Sequence, residues 1–142
     1  MNEEKMKEWS IGIIKPDGMK HCQAIFSIIE EKGLKIIYQK KIRFDEKILR
    51  KIYQEISKED YFQSFCNFMM SNECLAFIVE GESAIEIFNE LVGDTDPKKA
   101  KPGTLRNKFG SNIRENAIHS SSDKIHFLKE LEILFPEITQ VV

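Results

Sequence analysis

CLAFIV at 74–79 is the most continuous apolar stretch of the chain. Six apolar residues in succession, with no polar alternation, read as a central strand, because a strand facing water on one side alternates. A second short run, WSIGII at 9–14, is halted by Lys15-Pro16-Asp17-Gly18 and reads as a buried strand with a sharp end. Ala24, Ile25, Ile28 and Ile29 recur at helical spacing ahead of Gly33, a natural helix stop. Leu34, Ile36, Tyr38, Ile42 and Phe44 then fall on even positions, the period of a half-buried strand.

Asp45 can cap a helix whose apolar stripe is Ile48, Leu49, Ile52, Tyr53 and Ile56. A second helix is expected over 61–70, burying Phe62, Phe65, Cys66 and Met69, and an amphipathic one over 83–92. GDTDPKKAKPG at 93–103 is a long basic loop, and loops of that length are often functional. The segment 114–119 has room for a last short strand, after which Ser121 or Ser122 can cap a helix through Leu134. The order β-α-β-α-α-β-α-loop-β-α predicts an α/β (α+β) sandwich. Its expected form is ferredoxin-like, a four-stranded antiparallel sheet covered by helices.

At 142 residues the chain is expected to form a single domain over 1–142, with 1–8 a loose N-terminal extension. A net charge of −2 argues against nucleic acid as a partner, which usually requires a basic face. The amino end, MNEEKMKEWS, lacks the apolar core of a signal peptide. No apolar run approaches the ~18–20 residues a membrane helix needs. Three cysteines without CxxC spacing suit free thiols in a reducing compartment, so the expected location is cytoplasmic.

The usual catalytic strings are missing. There is no Walker motif, no GxGxxG, no HExxH and no Cys/His spacing typical of zinc, so no protein-held metal is expected. His21 beside Cys22 reads as a solvated turn. A Ser-His-Asp set made of His119 with Ser120 to Asp123 is poor, since sequence neighbours rarely reach triad geometry. Lys15 ends the first strand, Arg106 follows the basic loop, and Asn116 and His119 fall on the last strand. Two cations beside an imidazole suit phosphate chemistry, the cations holding anionic oxygens while a ring nitrogen attacks or moves a proton. A lone histidine beside Ile118 is also what a packed structural histidine looks like, and the spacing leaves both readings open.

Several longer pieces bear on that choice: IIKPDG at 13–18, the Tyr53 helix leading to Tyr61-Phe62, GDTDPKKAKPGTLRNKFG at 93–110, NAIHSSSD at 116–123, and a closing helix with Glu130. In this order they resemble a nucleoside diphosphate kinase over 9–136. The resemblance implies the same ferredoxin-like fold and a ping-pong transfer of a γ-phosphoryl group from a nucleoside triphosphate to a nucleoside diphosphate. His119 is then the nucleophile and becomes a phosphohistidine. Lys15 and Arg106 bind phosphate oxygens, Thr95 donates a hydroxyl to them and Tyr53 approaches them. Glu130 accepts a hydrogen bond from the far nitrogen of His119, and Asn116 reaches the sugar hydroxyls. The base stacks on Tyr61 against Ile113, which explains low base specificity, because every base has a π-face. Mg²⁺ arrives with the nucleotide phosphates. Members of the family assemble as tetramers or hexamers, with Pro102 in a loop often used for contacts, so a homo-oligomer is expected.

The chain departs from the family pattern at several places. Asn89 stands where a phosphate-binding arginine is usual, four residues before Gly93. Loss of one charge-assisted hydrogen bond, worth ~1.5–3 kcal/mol, predicts about one to two orders of magnitude weaker nucleotide binding, with Lys98, Lys99 or Lys101 as substitutes. Glu59 occupies another normally basic position and is expected to face solvent. Arg114 replaces a glycine beside the base, where it can cover the site mouth or stack on the base. The acid after the histidine moves to Asp123, and the turn after IIKPDG is shortened by about two residues. These departures define the alternative, a catalytically weak or inactive nucleotide-binding or assembly module of the same fold.

Overall fold

The 74–79 run forms most of β3 (Cys74–Gly81), an interior strand of a four-stranded sheet. The computed structural model describes residues 7–139. On one side of β3 lies β2 (Lys35–Ile42) and on the other β1 (Glu8–Ile14), followed by β4 (Ile118–Ser120), giving the order β2-β3-β1-β4. Every pairing is antiparallel.

The lack of alternation in β3 has a direct cause: both of its faces are covered. Leu75, Phe77 and Val79 pack with α1 (Cys22–Glu31) and α4 (Ala84–Val92) through Ile25, Ile29 and Phe88. Cys74, Ala76 and Ile78 pack with α2 (Glu46–Ile52), α3 (Phe62–Met69) and α6 (Lys124–Leu134) through Leu49, Phe65, Met69 and Phe127. Two short helices complete the set, α5 (Leu105–Phe109) and α7 (Pro136–Thr139). The ferredoxin-like sandwich expected from the element order is the fold observed.

Several local expectations are corrected. The even-position pattern of β2 breaks at a bulge between Ile36 and Tyr38. One extra residue moves later side chains to the opposite face. Leu34 and Ile36 therefore pack with α1 and α4, Ile37, Ile42 and Phe44 pack on the other face, and Tyr38 is 45% exposed. The helix after Asp45, whose carboxylate caps it through the Ile48 N–H at 2.8 Å, stops at Ile52 and gives way to a 3₁₀ turn at Gln54–Ile56. The last strand is only three residues long, with 114–117 outside it.

The cap of α6 is Asp123, which accepts from the His126 N–H; it is neither Ser121 nor Ser122. A 3₁₀ turn, Pro16–His21, follows β1, and His21 stacks on Phe109 with ring centroids 4.6 Å apart. Glu8, expected in the loose extension, belongs to β1; residues 1–6 of that expected extension and residues 140–142 lie outside the described residues.

Gly12 lies opposite Phe77 in the β1–β3 ladder, and a Cβ there would sit 2.4 Å from the Phe77 Cζ atom. The ring of a fully buried phenylalanine therefore occupies the space a side chain would need. Gly12→Ala is expected to destabilise the fold by about 1–3 kcal/mol through overpacking. Adding Phe77→Leu should return part of that loss. Urea unfolding of the two variants beside the parent measures both effects, and a neutral Gly12→Ala would contradict the packing described.

Candidate functional site

Each of the nine residues singled out above lines one open cleft of 1310 Å³. Its floor lies where β1 ends and β4 runs beside it, with His119 opposite Ile13 in the ladder. Glu130 comes from the inward face of α6, and Arg106 from α5, whose N-terminus is capped by Thr104.

The ring of His119 is held from one side only. Its Nε2 lies 3.0 Å from Glu130 Oε2, and the other oxygen of that carboxylate accepts from Ser121 Oγ at 2.6 Å. Glu130 is 2% exposed. Burial opposes its ionisation, yet the His119 charge and the hydrogen bonds from His119 and Ser121 hold it below the usual carboxylate value. A carboxylate accepts only, so Nε2 carries a proton, and in the neutral ring the lone pair stands on Nδ1. Among the described residues Nδ1 has no hydrogen-bond partner. Tyr53 meets the ring edge-on at 5.2 Å, and its buried hydroxyl is unpartnered. Burial first, then Glu130, pushes the Tyr53 phenol well above its ordinary pKa.

Lys15 is 4% exposed, and its Nζ donates to Asn116 Oδ1 at 2.8 Å. Burial lowers its pKa to about 7, helped by Arg106 and opposed by Asp17 and Cys74. Asn116 is committed in turn, its Nδ2 donating to the carbonyls of Thr95 at 2.9 Å and Ile113 at 3.0 Å. A sugar hydroxyl meeting Asn116 therefore shares an amide that already braces Lys15. Arg106 donates through Nε to the Ile118 carbonyl and through Nη1 to the Gly93 carbonyl, both at 3.1 Å. It ties the strand carrying His119 to the basic loop.

The guanidinium of Arg114 lies 4.1 Å from the centre of the ring of Tyr61, the residue on which a base was expected to stack. Ile113 beside it is 53% exposed. Asn89 accepts from Ser120 Oγ at 2.6 Å and donates to the Ser122 carbonyl at 3.2 Å. Lys99 and Lys101 line the cleft, whereas Lys98 lines a separate groove beside it. Glu59 is exposed and outside the cleft. Among the described residues no group of three or more His, Cys, Asp or Glu side chains could hold a metal ion.

A family described as nucleoside diphosphate kinase matches residues 8–139. The chain is similar to the nucleoside diphosphate kinase of Ehrlichia ruminantium, 37% identical over 134 residues, covering 93% of this chain and 94% of that protein. It is similar to that of Methanocaldococcus jannaschii at 34% identity over 134 residues, covering 93% and 96%. Among solved structures, the apo enzyme of Encephalitozoon cuniculi superposes with a TM-score of 0.88 at 31% identity, covering 95% of this chain and 93% of that one. The Halobacterium salinarum enzyme in complex with CDP superposes with 0.86 at 30% identity, covering 92% and 88%.

One contact at the cleft wall was not foreseen. His126 Nε2 lies 2.7 Å from Glu55 Oε2, and His126 Nδ1 lies 2.8 Å from Asp123 Oδ1. Both ring nitrogens face acceptors, so the contact requires the imidazolium. The His126 pKa is raised by the hydrogen bonds to Glu55 and then Asp123, and both carboxylates are lowered in return. A raised imidazole stabilises fully below its ordinary value and loses that contribution as pH climbs through the raised one. The lowered carboxylates stabilise above their ordinary values and lose it as pH falls through the lowered ones.

The contact, which joins α6 to the turn after α2, is thus complete between about pH 5 and about pH 6.5. The melting-temperature gap between the parent and His126→Gln is expected to be largest in that window and to close on the alkaline side. A gap independent of pH would refute the charged contact.

Proposed function

The chain belongs to the nucleoside diphosphate kinase family, and from that premise we propose that it moves the γ-phosphoryl group of a nucleoside triphosphate to a nucleoside diphosphate through a phosphohistidine on His119. The observation that carries the reading is the His119 ring, with Nε2 engaged by Glu130 and Nδ1 open to a cleft bordered by Lys15 and Arg106. In the first half-reaction the Nδ1 lone pair forms a bond to the γ-phosphorus, the bond from that phosphorus to the β–γ bridging oxygen breaks, and the diphosphate leaves with that oxygen. The proton stays on Nε2, where Glu130 balances the positive charge that develops on the ring. In the second half-reaction a terminal oxygen of the acceptor diphosphate attacks the phosphorus and the bond to Nδ1 breaks.

Binding follows from charge. An incoming polyphosphate brings negative charge beside Lys15 and raises its pKa, so the ammonium is fully charged when its phosphate is present. Arg106 is held by two carbonyls and offers its remaining N–H groups. Lys99 and Lys101 add positive charge at the wall. Catalysis on this plan rests on positioning and charge, as in phosphoryl transfer generally. Mg²⁺ carried in by the nucleotide's phosphates would neutralise charge that the protein cations leave uncovered. The retained His119–Glu130 pair speaks against a lapsed binding module.

The remaining expectations belong to the same proposal. Self-association is supported by β2, an open sheet edge carrying the exposed Tyr38. A cytoplasmic location is supported by three free cysteines. Among the described residues no helix is long and apolar enough to cross a membrane.

Two experiments test the reading. Incubation with Mg·ATP followed by intact-mass measurement away from acid should show a gain of one phosphoryl group, absent in His119→Ala and discharged by a nucleoside diphosphate. Transfer retained in His119→Ala would overturn the mechanism. Asn89→Arg should lower the nucleotide KM by about tenfold or more, the worth of one charge-assisted hydrogen bond. An unchanged KM would mean that Lys99 and Lys101 already supply that charge.

A further inference from the structure

We propose that Asp17 is a positioning residue for phosphoryl transfer, clamping the strained backbone at Ala117 that sets Lys15 and His119 side by side and lending its charge to Lys15. The proposal rests on the phosphoryl-transfer reading above and adds a residue that reading does not use.

The starting observation is Ala117, two residues before His119, with φ at 74°. That conformation disfavours any residue with a Cβ. The Ile118 N–H donates to the Asn116 carbonyl at 2.9 Å across it, which makes the segment a γ-turn of the rare, strained hand. Strain of this kind persists only where the surroundings over-determine it.

The surroundings here come from one short stretch a hundred residues away. Asp17 Oδ2 accepts from the Ala117 N–H at 3.1 Å. The Lys15 backbone N–H donates to the Ala117 carbonyl at 2.9 Å. Gly18 has no side chain, and a Cβ there would sit 2.4 Å from that same carbonyl oxygen. Both peptide groups flanking the Ala117 Cα are therefore gripped by 15–18. The flanking residues are the functional ones: Asn116 holds the Lys15 ammonium, and Ile118 leads into His119.

A second feature shows that Asp17 does more than accept one hydrogen bond. Its Oδ1 is buried and unpartnered. An amide could cap the Ala117 N–H as well, so what distinguishes the carboxylate is its charge, which Lys15 feels. The cation it acts on is Lys15, whose charge is opposed by burial and by Arg106. The other groups around this pair supply no counter-charge. The Cys74 thiol is pushed up to about 12 and the Tyr53 phenol above its ordinary value, both chiefly by burial, so both are neutral near pH 7. Glu115 acts on Asp17, and Glu130 is engaged by His119 and Ser121. Removing the Asp17 charge therefore shifts Lys15 toward its neutral form.

The test compares the full-length parent with Asp17→Asn, Asp17→Ala and Asp17→Ala/Ala117→Gly. Asp17→Asn keeps an acceptor but loses the charge. It should melt close to the parent, yet the alkaline limb of its kcat/KM profile should move down by about half a pH unit or more, with the Lys15 midpoint followed by NMR without nucleotide. Asp17→Ala should lower kcat by about 10–100-fold, the scale of a misplaced reacting group, with a much smaller change in KM. The added Ala117→Gly, which adopts positive φ unaided, should recover part of that kcat.

A parent-like Lys15 titration in Asp17→Asn, or a kcat in Asp17→Ala equal to the parent's despite a lowered melting temperature, overturns the proposal. A parent that transfers no phosphoryl group overturns the kinase reading instead, and the NMR titration tells the two failures apart.

Discussion

A lysine ammonium buried at the end of β1 is the constraint around which the site is arranged. Charge in an apolar interior is costly unless hydrogen-bonded and paired, and Lys15 has one direct acceptor, Asn116 Oδ1. That acceptor is rigid because its own amide nitrogen is spent on the Thr95 and Ile113 carbonyls. One side chain thus couples the basic loop, the turn that carries Ile113 and Arg114, and the strand that carries His119. The arrangement leaves the cation under-compensated, with the Arg106 charge adding to the cost of its burial. A site that is short of negative charge while empty is suited to a polyanion, because the ligand supplies what the fold withholds.

The sheet order explains why these groups meet. β1 is central, β4 pairs with its outer side for only three residues, and α6 follows directly. His119 and Glu130 are eleven residues apart and reach each other because the chain turns from strand into helix at Asp123. Ser121, fully buried between them, occupies the second oxygen of Glu130 and keeps the carboxylate from rotating away from the ring. The tautomer of His119 is therefore decided by packing and capping at the start of α6 as much as by the pair itself.

What could be read in the sequence was whatever a local pattern or a motif carries. The central strand was legible because CLAFIV has no polar break, and both of its faces prove to be covered. The face assignment of β2 was not, since a bulge leaves no mark when Ile36 and Ile37 are both apolar. Periodicity left His119 undecided between packing and chemistry, and the motif resemblance supplied the expectation that Glu130 lies behind it. Asp17 was visible in the break after the first strand and in the IIKPDG motif, but its role was not, because its partner is a backbone N–H a hundred residues on. His126 was missed for a similar reason: Asp123 sits at cap spacing ahead of it, but Glu55 comes from another element.

The departures from the family pattern make more sense taken together. Asn89 lacks the arginine's charge but is not idle: it bonds Ser120 and the Ser122 carbonyl, fixing the backbone just after His119. Arg114 brings a guanidinium to a place where the family carries glycine, and lays it on Tyr61. On the proposed reading, positive charge has moved from the phosphate side of the cleft to the base side. A base approaching Tyr61 must displace the guanidinium or stack upon it, and either event engages a directional set of N–H donors that an aromatic face alone lacks. Stacking on a π-face tolerates every base, whereas N–H donors favour bases with acceptors in reach. On the proposed reading, the low base specificity implied by an aromatic platform would be modified by the guanidinium that lies over Tyr61.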